Sequence, residues 1–180
     1  MRRLRVGVLL FATLLVTTVF FSSAVFAEDS CAQLMSLKIP GASVILGTAV
    51  AAGSFAGPPQ PGGDRDLTIP YKNVPAFCRV VVVAKPTGDS EIRIETWMPA
   101  SGWNGKLQGI GNGGFAGQID FMQMAAAVTR GYAVTATDTG HSGSPIDASW
   151  AEGHPEKIID FGHRGIHEMT RVAKDAVRAF

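Results

Sequence analysis

The succession of apolar strands and amphipathic helices in the second half of this chain constrains its fold most strongly. Residues 77–84 contain four consecutive valines and indicate a buried strand, whereas residues 91–99 alternate polar and apolar side chains, which predicts a strand with one buried face. Two further strands, 106–110 and 132–137, are each followed by a loop and a helix. We therefore expect an α/β fold in which antiparallel strands lead into a mostly parallel sheet with flanking helices.

The two predicted helices, residues 120–130 and 161–180, carry apolar side chains at helical spacing, and Gly131 provides a stop signal for the first. Because no strand follows the second helix, its apolar face has too little sheet to cover it. We therefore expect residues 28–180 to form the front portion of a larger domain. The length of 180 residues allows one ordinary domain and makes two full domains unlikely.

The N-terminus has the pattern of an export signal. Three arginines within residues 1–5 precede an uncharged run, residues 6–21, and Val25 and Ala27 suit the −3 and −1 positions of signal peptidase. A membrane anchor is the alternative, but this run is shorter than the roughly 20 residues that a spanning helix needs. The sequence predicts cleavage after Ala27 and a secreted or periplasmic protein.

Charge excludes nucleic-acid binding as a leading function. The whole chain has 16 basic and 15 acidic residues, for a net charge of +1, and three of the basic residues lie in the predicted signal. Residues 28–180 therefore hold 13 basic against 15 acidic residues, a net charge of −2. A weakly acidic domain lacks the basic surface that nucleic acid requires.

The two cysteines, Cys31 and Cys78, are an even pair in a chain predicted to enter an oxidising compartment, which favours one disulfide. A reactive thiol is the alternative, but neither cysteine has a supporting neighbour in sequence. Residues 53–66 between them are rich in glycine and proline and indicate an exposed loop.

A glycine-rich segment, residues 109–114, satisfies the pattern G-x-G-x-x-G between a strand and a helix, and Asp138 ends the next strand. Dinucleotide binding is one interpretation. Two facts weaken it: exported proteins seldom meet a nicotinamide pool, and the helix does not start at the third glycine, where its amides would hold a pyrophosphate.

The same glycines can instead point backbone N–H groups into a cleft, where they stabilise a developing oxyanion. In α/β-hydrolases one such donor comes from the loop after the third strand of the sheet. Gly113 and Gly114 stand in the right place to be that donor. A tight turn without function is the alternative.

Six ordered motifs resemble the tannase and feruloyl esterase family of secreted α/β-hydrolases, and together they span nearly all of the chain after the predicted signal. They are Pro75-x-Phe77-Cys78-Arg79, Trp97-Met98-Pro99, Trp103-Asn104-Gly105-Lys106, Gly109-x-Gly111-Asn112-Gly113-Gly114-Phe115-Ala116-Gly117, Arg130-Gly131-Tyr132-Ala133 and Thr137-Asp138-Thr139-Gly140-His141. The resemblance implies hydrolysis of feruloyl, galloyl or related phenolic esters by a Ser-His-Asp triad. It also implies a lid domain that holds a structural calcium ion.

The chain departs from the family at the nucleophile. The family places its serine in a Gly-Cys-Ser-x-Gly-Gly segment, and these 180 residues contain no G-x-S-x-G. The serine, aspartate and histidine of the triad, the lid and its calcium are therefore expected outside this chain, which by itself should be inactive and hold no cofactor. A non-catalytic exported remnant or binding protein is the alternative from another class.

Three histidines are candidates for a chemical role. His163 and His167 are four residues apart on a predicted helix, which is a metal-binding spacing, but an exposed pair is the expected case. His141, near Asp138, has the chemistry of a general base. The resemblance instead gives this position a structural role in the cleft wall beside the glycine-rich loop.

Overall fold

The computed structural model describes residues 29–58 and 66–180, so the predicted signal, residues 1–27, lies outside the described residues. Five strands form one sheet: β1 (Ala42–Val50), β2 (Phe77–Ala84), β3 (Ile92–Pro99), β4 (Leu107–Ile110) and β5 (Ala133–Thr137). The helices are α1 (residues 29–33), α2 (Phe121–Thr129), α3 (Pro155–Ile159) and α4 (Gly165–Ala179). A π-helical turn, Asp160–Arg164, joins α3 to α4.

The sheet is mixed, and its strand order is β1-β2-β3-β5-β4. Only the β4–β5 pair is parallel among the described strands, because α2 carries the chain back between them. The other three pairs are antiparallel. The expectation of a mostly parallel sheet is thus wrong for the described strands: β5 inserts between β3 and β4 and runs opposite to β3.

Helices cover both faces of the sheet. On one face α4 packs over β2, β3 and β5, and it buries the side chains Met169, Val172, Ala173 and Ala176. The expectation that this helix lacks a covering sheet is therefore wrong. The helix also begins earlier than its apolar spacing predicts, because Pro155 occupies the first turn of α3 and the chain continues through the π turn into α4.

The second face of the sheet is covered by α2 and by the segment between β1 and β2. Phe55 and Tyr71 from that segment pack against Trp97 and Met124. Phe55 is buried, which corrects the prediction of an exposed loop at this residue. Because this second layer exists, β3 is buried on both faces and not on one as its alternation predicts.

Burial of both faces places one acidic side chain, Glu95, wholly inside the protein. Its carboxylate accepts hydrogen bonds from the Arg79 guanidinium and, at 2.9 Å, from the indole N–H of Trp97. A buried carboxylate requires such partners, since its desolvation is otherwise very costly. This ion pair between the partly exposed Arg79 and the buried Glu95 links β2 to β3.

The Cys31–Cys78 disulfide is present in the structure, as the sequence predicts. Both residues are buried, and the bond joins α1 to the start of β2. It therefore attaches the N-terminal segment to the sheet. Among the described residues no helix is long and apolar enough to cross a membrane.

A side-chain cap stabilises the start of α2. The Asp120 carboxylate accepts a hydrogen bond from the backbone N–H of Gln123 at 3.0 Å, an N-terminal cap. We expect Asp120→Ala to lower the free energy of unfolding by about 1 kcal/mol, because the cap is lost. Urea denaturation checks this value; Asp120→Asn, which keeps the acceptor, should cost much less, and equal losses would contradict the capping role.

Candidate functional site

The loops that follow β4 and β5 meet at one edge of the sheet because these two strands are parallel. Two backbone hydrogen bonds join the loops: Phe115 N–H donates to the Pro145 carbonyl at 2.9 Å, and Gly117 N–H donates to the Gly143 carbonyl at 3.3 Å. This is the edge where α/β folds carry their binding sites. The two loops therefore form the candidate site.

The predicted residues Gly113 and Gly114 lie at the exposed tip of the loop after β4. Within the part of the chain that the structure describes, their backbone N–H groups have no hydrogen-bond partner. Gly114 has a φ of +56°, and a Cβ there would lie 2.4 Å from the Pro145 carbonyl oxygen. Glycine is therefore needed at residue 114 for both conformation and space.

His141 lies beside this loop with 6% of its surface exposed. Its Nε2 is 2.9 Å from the Phe115 carbonyl oxygen, and its ring stacks on Trp150 with centroids 3.8 Å apart. A nitrogen bound to a backbone carbonyl cannot accept a proton from a nucleophile. Nε2 is therefore not available as a general base, and the imidazole lies in the wall of the site.

Asp138 follows β5 and binds backbone groups at the start of the loop after that strand. One carboxylate oxygen accepts hydrogen bonds from the backbone N–H groups of Gly140 and Arg93, both at 2.9 Å. Burial raises the pKa of the Asp138 carboxyl above its ordinary value, although these two bonds and the nearby His141 and Arg93 act in the opposite direction.

This raised pKa gives a pH prediction. The folded protein holds the Asp138 proton more tightly than the unfolded chain, so the resulting stabilisation is complete below the ordinary carboxyl pKa of 3.8 and is lost as the pH rises through the folded value. Asp138→Asn keeps the acceptor oxygen and abolishes the titration. We expect the wild type to lose stability relative to Asp138→Asn from pH 3 to pH 7, measured by urea denaturation. A constant difference would contradict the assignment.

A cleft of about 730 Å³ opens beside the loops. Aromatic and arginine side chains contribute to its lining together with the loop residues, and they include Phe55, Tyr71, Arg79, Arg93, Gly117 and Phe121. Gly113 and Gly114 do not line this cleft; they lie at the loop tip, where Phe115 is also exposed. The cleft and the free N–H groups are thus separate parts of the same edge.

The structure does not support dinucleotide binding by the glycine-rich segment, residues 109–114. α2 begins at Phe121, well after Gly114, and the Asp120 carboxylate already occupies its N-terminus. A pyrophosphate would meet a negative charge there in place of free amides. The glycines of residues 109–114 are therefore not arranged as a phosphate cradle.

The predicted histidine pair is exposed, as expected. His163 lies in the π turn and His167 in α4, where it neighbours Glu168 at 3.4 Å. Among residues 29–58 and 66–180 there is no group of three or more histidine, cysteine, aspartate or glutamate side chains that could hold a metal ion.

One contact at this site has no signal in the sequence. The bond between His141 and the Phe115 carbonyl joins residues that are 26 positions apart. Its donor and acceptor belong to different loops, so only the parallel pairing of β4 and β5 brings them together.

Comparison with known proteins identifies the family to which this chain is similar. The family described as "Tannase and feruloyl esterase" matches residues 78–180. An uncharacterized esterase from Xanthomonas campestris is 40% identical over 154 residues, which cover 86% of this chain and 25% of that protein. A probable feruloyl esterase B-1 from Aspergillus terreus is 34% identical over 104 residues, covering 58% of this chain and 19% of its own length.

Among solved structures, feruloyl esterase B from Aspergillus oryzae is similar with a TM-score of 0.70 and 27% identity, over 85% of this chain and 29% of that one. An esterase from the same organism has the same TM-score, with 25% identity. The mixed sheet with flanking helices is therefore an architecture found in esterases. The chain spans a quarter of the Xanthomonas esterase and about a fifth of the Aspergillus terreus enzyme.

Proposed function

Because this chain belongs to the tannase and feruloyl esterase family, we propose that it forms the N-terminal part of a secreted α/β-hydrolase that cleaves esters of aromatic acids. In this proposal residues 1–27 are the export signal and residues 28–180 begin the hydrolase domain. Its substrates are small feruloyl, galloyl or related phenolic esters. The names of the Aspergillus relatives, which include feruloyl esterases, support this substrate class.

The observation that carries the proposal is the pair of backbone N–H groups at Gly113 and Gly114, which have no hydrogen-bond partner among the described residues. They follow the parallel strand β4, at the edge where α/β-hydrolases place one oxyanion donor. Such a donor contributes about 3–4 kcal/mol to stabilisation of the transition state, because it is already oriented towards the developing charge.

The proposed mechanism is acyl transfer in two steps. A serine attacks the ester carbonyl and forms a tetrahedral intermediate. Its oxyanion accepts a hydrogen bond from a backbone N–H of the glycine loop, and the alcohol then leaves. Water then hydrolyses the acyl-enzyme in the same way. Since this sequence contains no G-x-S-x-G, the nucleophile and its histidine and aspartate are supplied from outside these 180 residues.

Two further parts of the proposal concern calcium and export. The family resemblance implies a structural calcium ion, which in this proposal belongs to the lid domain outside these 180 residues. The disulfide supports export, because such bonds persist mainly in oxidising compartments.

Ester hydrolysis tests the proposal. We expect the longest protein that contains this chain to hydrolyse methyl ferulate or methyl gallate with a kcat/KM at least about tenfold above that for methyl hexanoate, a difference of about 1.4 kcal/mol in transition-state binding. Chromatographic detection of the released acid gives both rates. Absence of hydrolysis would contradict the proposal and favour a non-catalytic exported protein.

A further inference from the structure

The side chain of His141 is the point at which the second loop holds the glycine-rich loop. Two of the three hydrogen bonds between the loops are backbone to backbone, and the third comes from the imidazole Nε2 to the Phe115 carbonyl. Phe115 is thus bound on both sides of its α-carbon, through its N–H to Pro145 and through its carbonyl to His141. It directly follows Gly113 and Gly114, whose N–H groups bind no residue that the structure describes.

The chemistry of these atoms fixes the tautomer of His141. A backbone carbonyl only accepts hydrogen bonds, so Nε2 must carry a proton. Nδ1 faces the Thr139 hydroxyl at 3.5 Å, and that hydroxyl donates to the Asp138 carbonyl at 2.6 Å. Because a neutral imidazole carries a single N–H and Nε2 holds it, Nδ1 is the unprotonated nitrogen.

The imidazole ring is itself held in place. It lies between Trp150, which stacks on it, and the edge of Phe161 at a centroid distance of 5.6 Å. The backbone of Gly117 closes the remaining side, since a Cβ at residue 117 would lie 2.5 Å from the ring carbon Cδ2 of His141. The donor atom therefore has little freedom to leave the Phe115 carbonyl.

The backbone that leads to His141 is equally constrained. Thr139 and Gly140 both have positive φ, at +57° and +86°, and a non-glycine residue in this region is uncommon and strained. The Asp138 carboxylate binds the Gly140 N–H, and the Lys157 ammonium donates to the Gly140 carbonyl at 3.0 Å. These contacts direct the histidine towards the glycine loop.

We propose that His141 is a positioning residue that fixes the Phe115 carbonyl and thereby orients the N–H groups of Gly113 and Gly114 towards the oxyanion. This inference rests on the proposed function, because the oriented groups are its oxyanion donors. With both peptide groups of Phe115 anchored, the Gly113–Gly114 segment has only its own torsions left to vary. Without the imidazole donor, the carbonyl is released and the glycines sample other orientations.

Two substitutions separate the hydrogen bond from the packing. His141→Gln places an amide N–H near the Nε2 position and loses the aromatic ring, whereas His141→Phe keeps a ring against Trp150 and loses the donor. Both are made in the longest protein that contains this chain, and thermal unfolding is measured for each. A purely structural role predicts that loss of the ring matters most.

We expect His141→Phe to lower kcat by roughly 10- to 100-fold on an aromatic methyl ester with little change in KM, because misplaced donors affect the transition state and not ground-state binding. His141→Gln should restore most of the loss. Hydrogen exchange of peptides from residues 111–118, followed by mass spectrometry, should be faster in His141→Phe than in the wild type and close to wild type in His141→Gln. Equal behaviour of the two variants would overturn the inference.

A measurement on the unmutated protein covers the case in which His141→Phe does not fold. With ¹⁵N-labelled histidine at mildly alkaline pH, NMR should find His141 protonated at Nε2 and unprotonated at Nδ1; the opposite tautomer would overturn the inference. This result and the exchange data do not depend on catalysis. If they hold and no ester is hydrolysed, the proposed function fails while the positioning of the loop by His141 remains.

Discussion

Replacing Gly113 with proline is expected to lower kcat by about 100- to 1,000-fold on an aromatic ester, in the longest protein that contains this chain. Proline has no backbone N–H, so the substitution deletes one of the two free donors at the loop tip. The loss corresponds to about 2.7–4 kcal/mol of transition-state stabilisation. Steady-state kinetics with methyl ferulate or methyl gallate measures it.

Gly113→Ala is the matched control. Gly113 does not have a positive φ, and a Cβ at this residue would meet nothing within 4 Å, so alanine fits while the N–H remains. We expect this variant to lose far less activity than Gly113→Pro. Similar losses from both, with circular dichroism showing intact folding, would mean that the Gly113 N–H is not a donor to the oxyanion.

Arg79→Ala is expected to lower the free energy of unfolding by about 3–5 kcal/mol, measured by urea denaturation. The substitution leaves the Glu95 carboxylate in the interior without its cationic partner; of its donors among the described residues, the Trp97 indole remains. It also removes the guanidinium that lies 5.2 Å from the centre of the Phe55 ring. An uncompensated buried charge is the main reason for the loss.

The double variant Arg79→Ala with Glu95→Gln tests this cause. Glutamine retains an oxygen that can accept from the Trp97 indole but carries no charge, so the double variant should be clearly more stable than Arg79→Ala alone. If the double variant is no more stable, the cost of Arg79→Ala arises from lost packing on Phe55 and not from the buried carboxylate.

Local signals in the sequence predict most of the elements but not their arrangement. The valine run of β2 and the apolar spacing and glycine stop of α2 are local features, and the structure places these elements within a residue or two of their predicted bounds. The position of β5 between β3 and β4 has no local signal, since it depends on where the crossover through α2 returns the chain. Pro155 does signal the start of α3, but apolar spacing alone overlooks it.

Glu95 illustrates a second limit. The alternation in residues 91–99 is that of a strand with one exposed face. Glu95 is nevertheless buried, because Arg79 on β2 and Trp97 on β3 donate hydrogen bonds to its carboxylate. Whether a polar face is exposed depends on a second layer, here α2 and the segment around Phe55. The periodicity of a strand does not indicate whether such a second layer covers it.

For the site, the sequence places the candidate glycines correctly on a loop after a strand. It does not reveal that the Gly113 and Gly114 N–H groups bind no other described residue, nor that His141 donates to the Phe115 carbonyl. These properties arise from contacts between loops that are distant in sequence. The cleft lined by Phe55 and Arg93 likewise combines residues from six separate stretches of the chain.

A crystal structure of a trapped tetrahedral adduct tests the central claim most directly. The longest protein that contains this chain is treated with an aromatic phosphonate ester, whose phosphoryl oxygen mimics the oxyanion once the nucleophile has reacted. We predict that this oxygen lies within about 2.7–3.1 Å of the backbone nitrogen of Gly113 or Gly114. An oxygen bound entirely by other groups, with both glycine N–H groups directed away, would contradict the account.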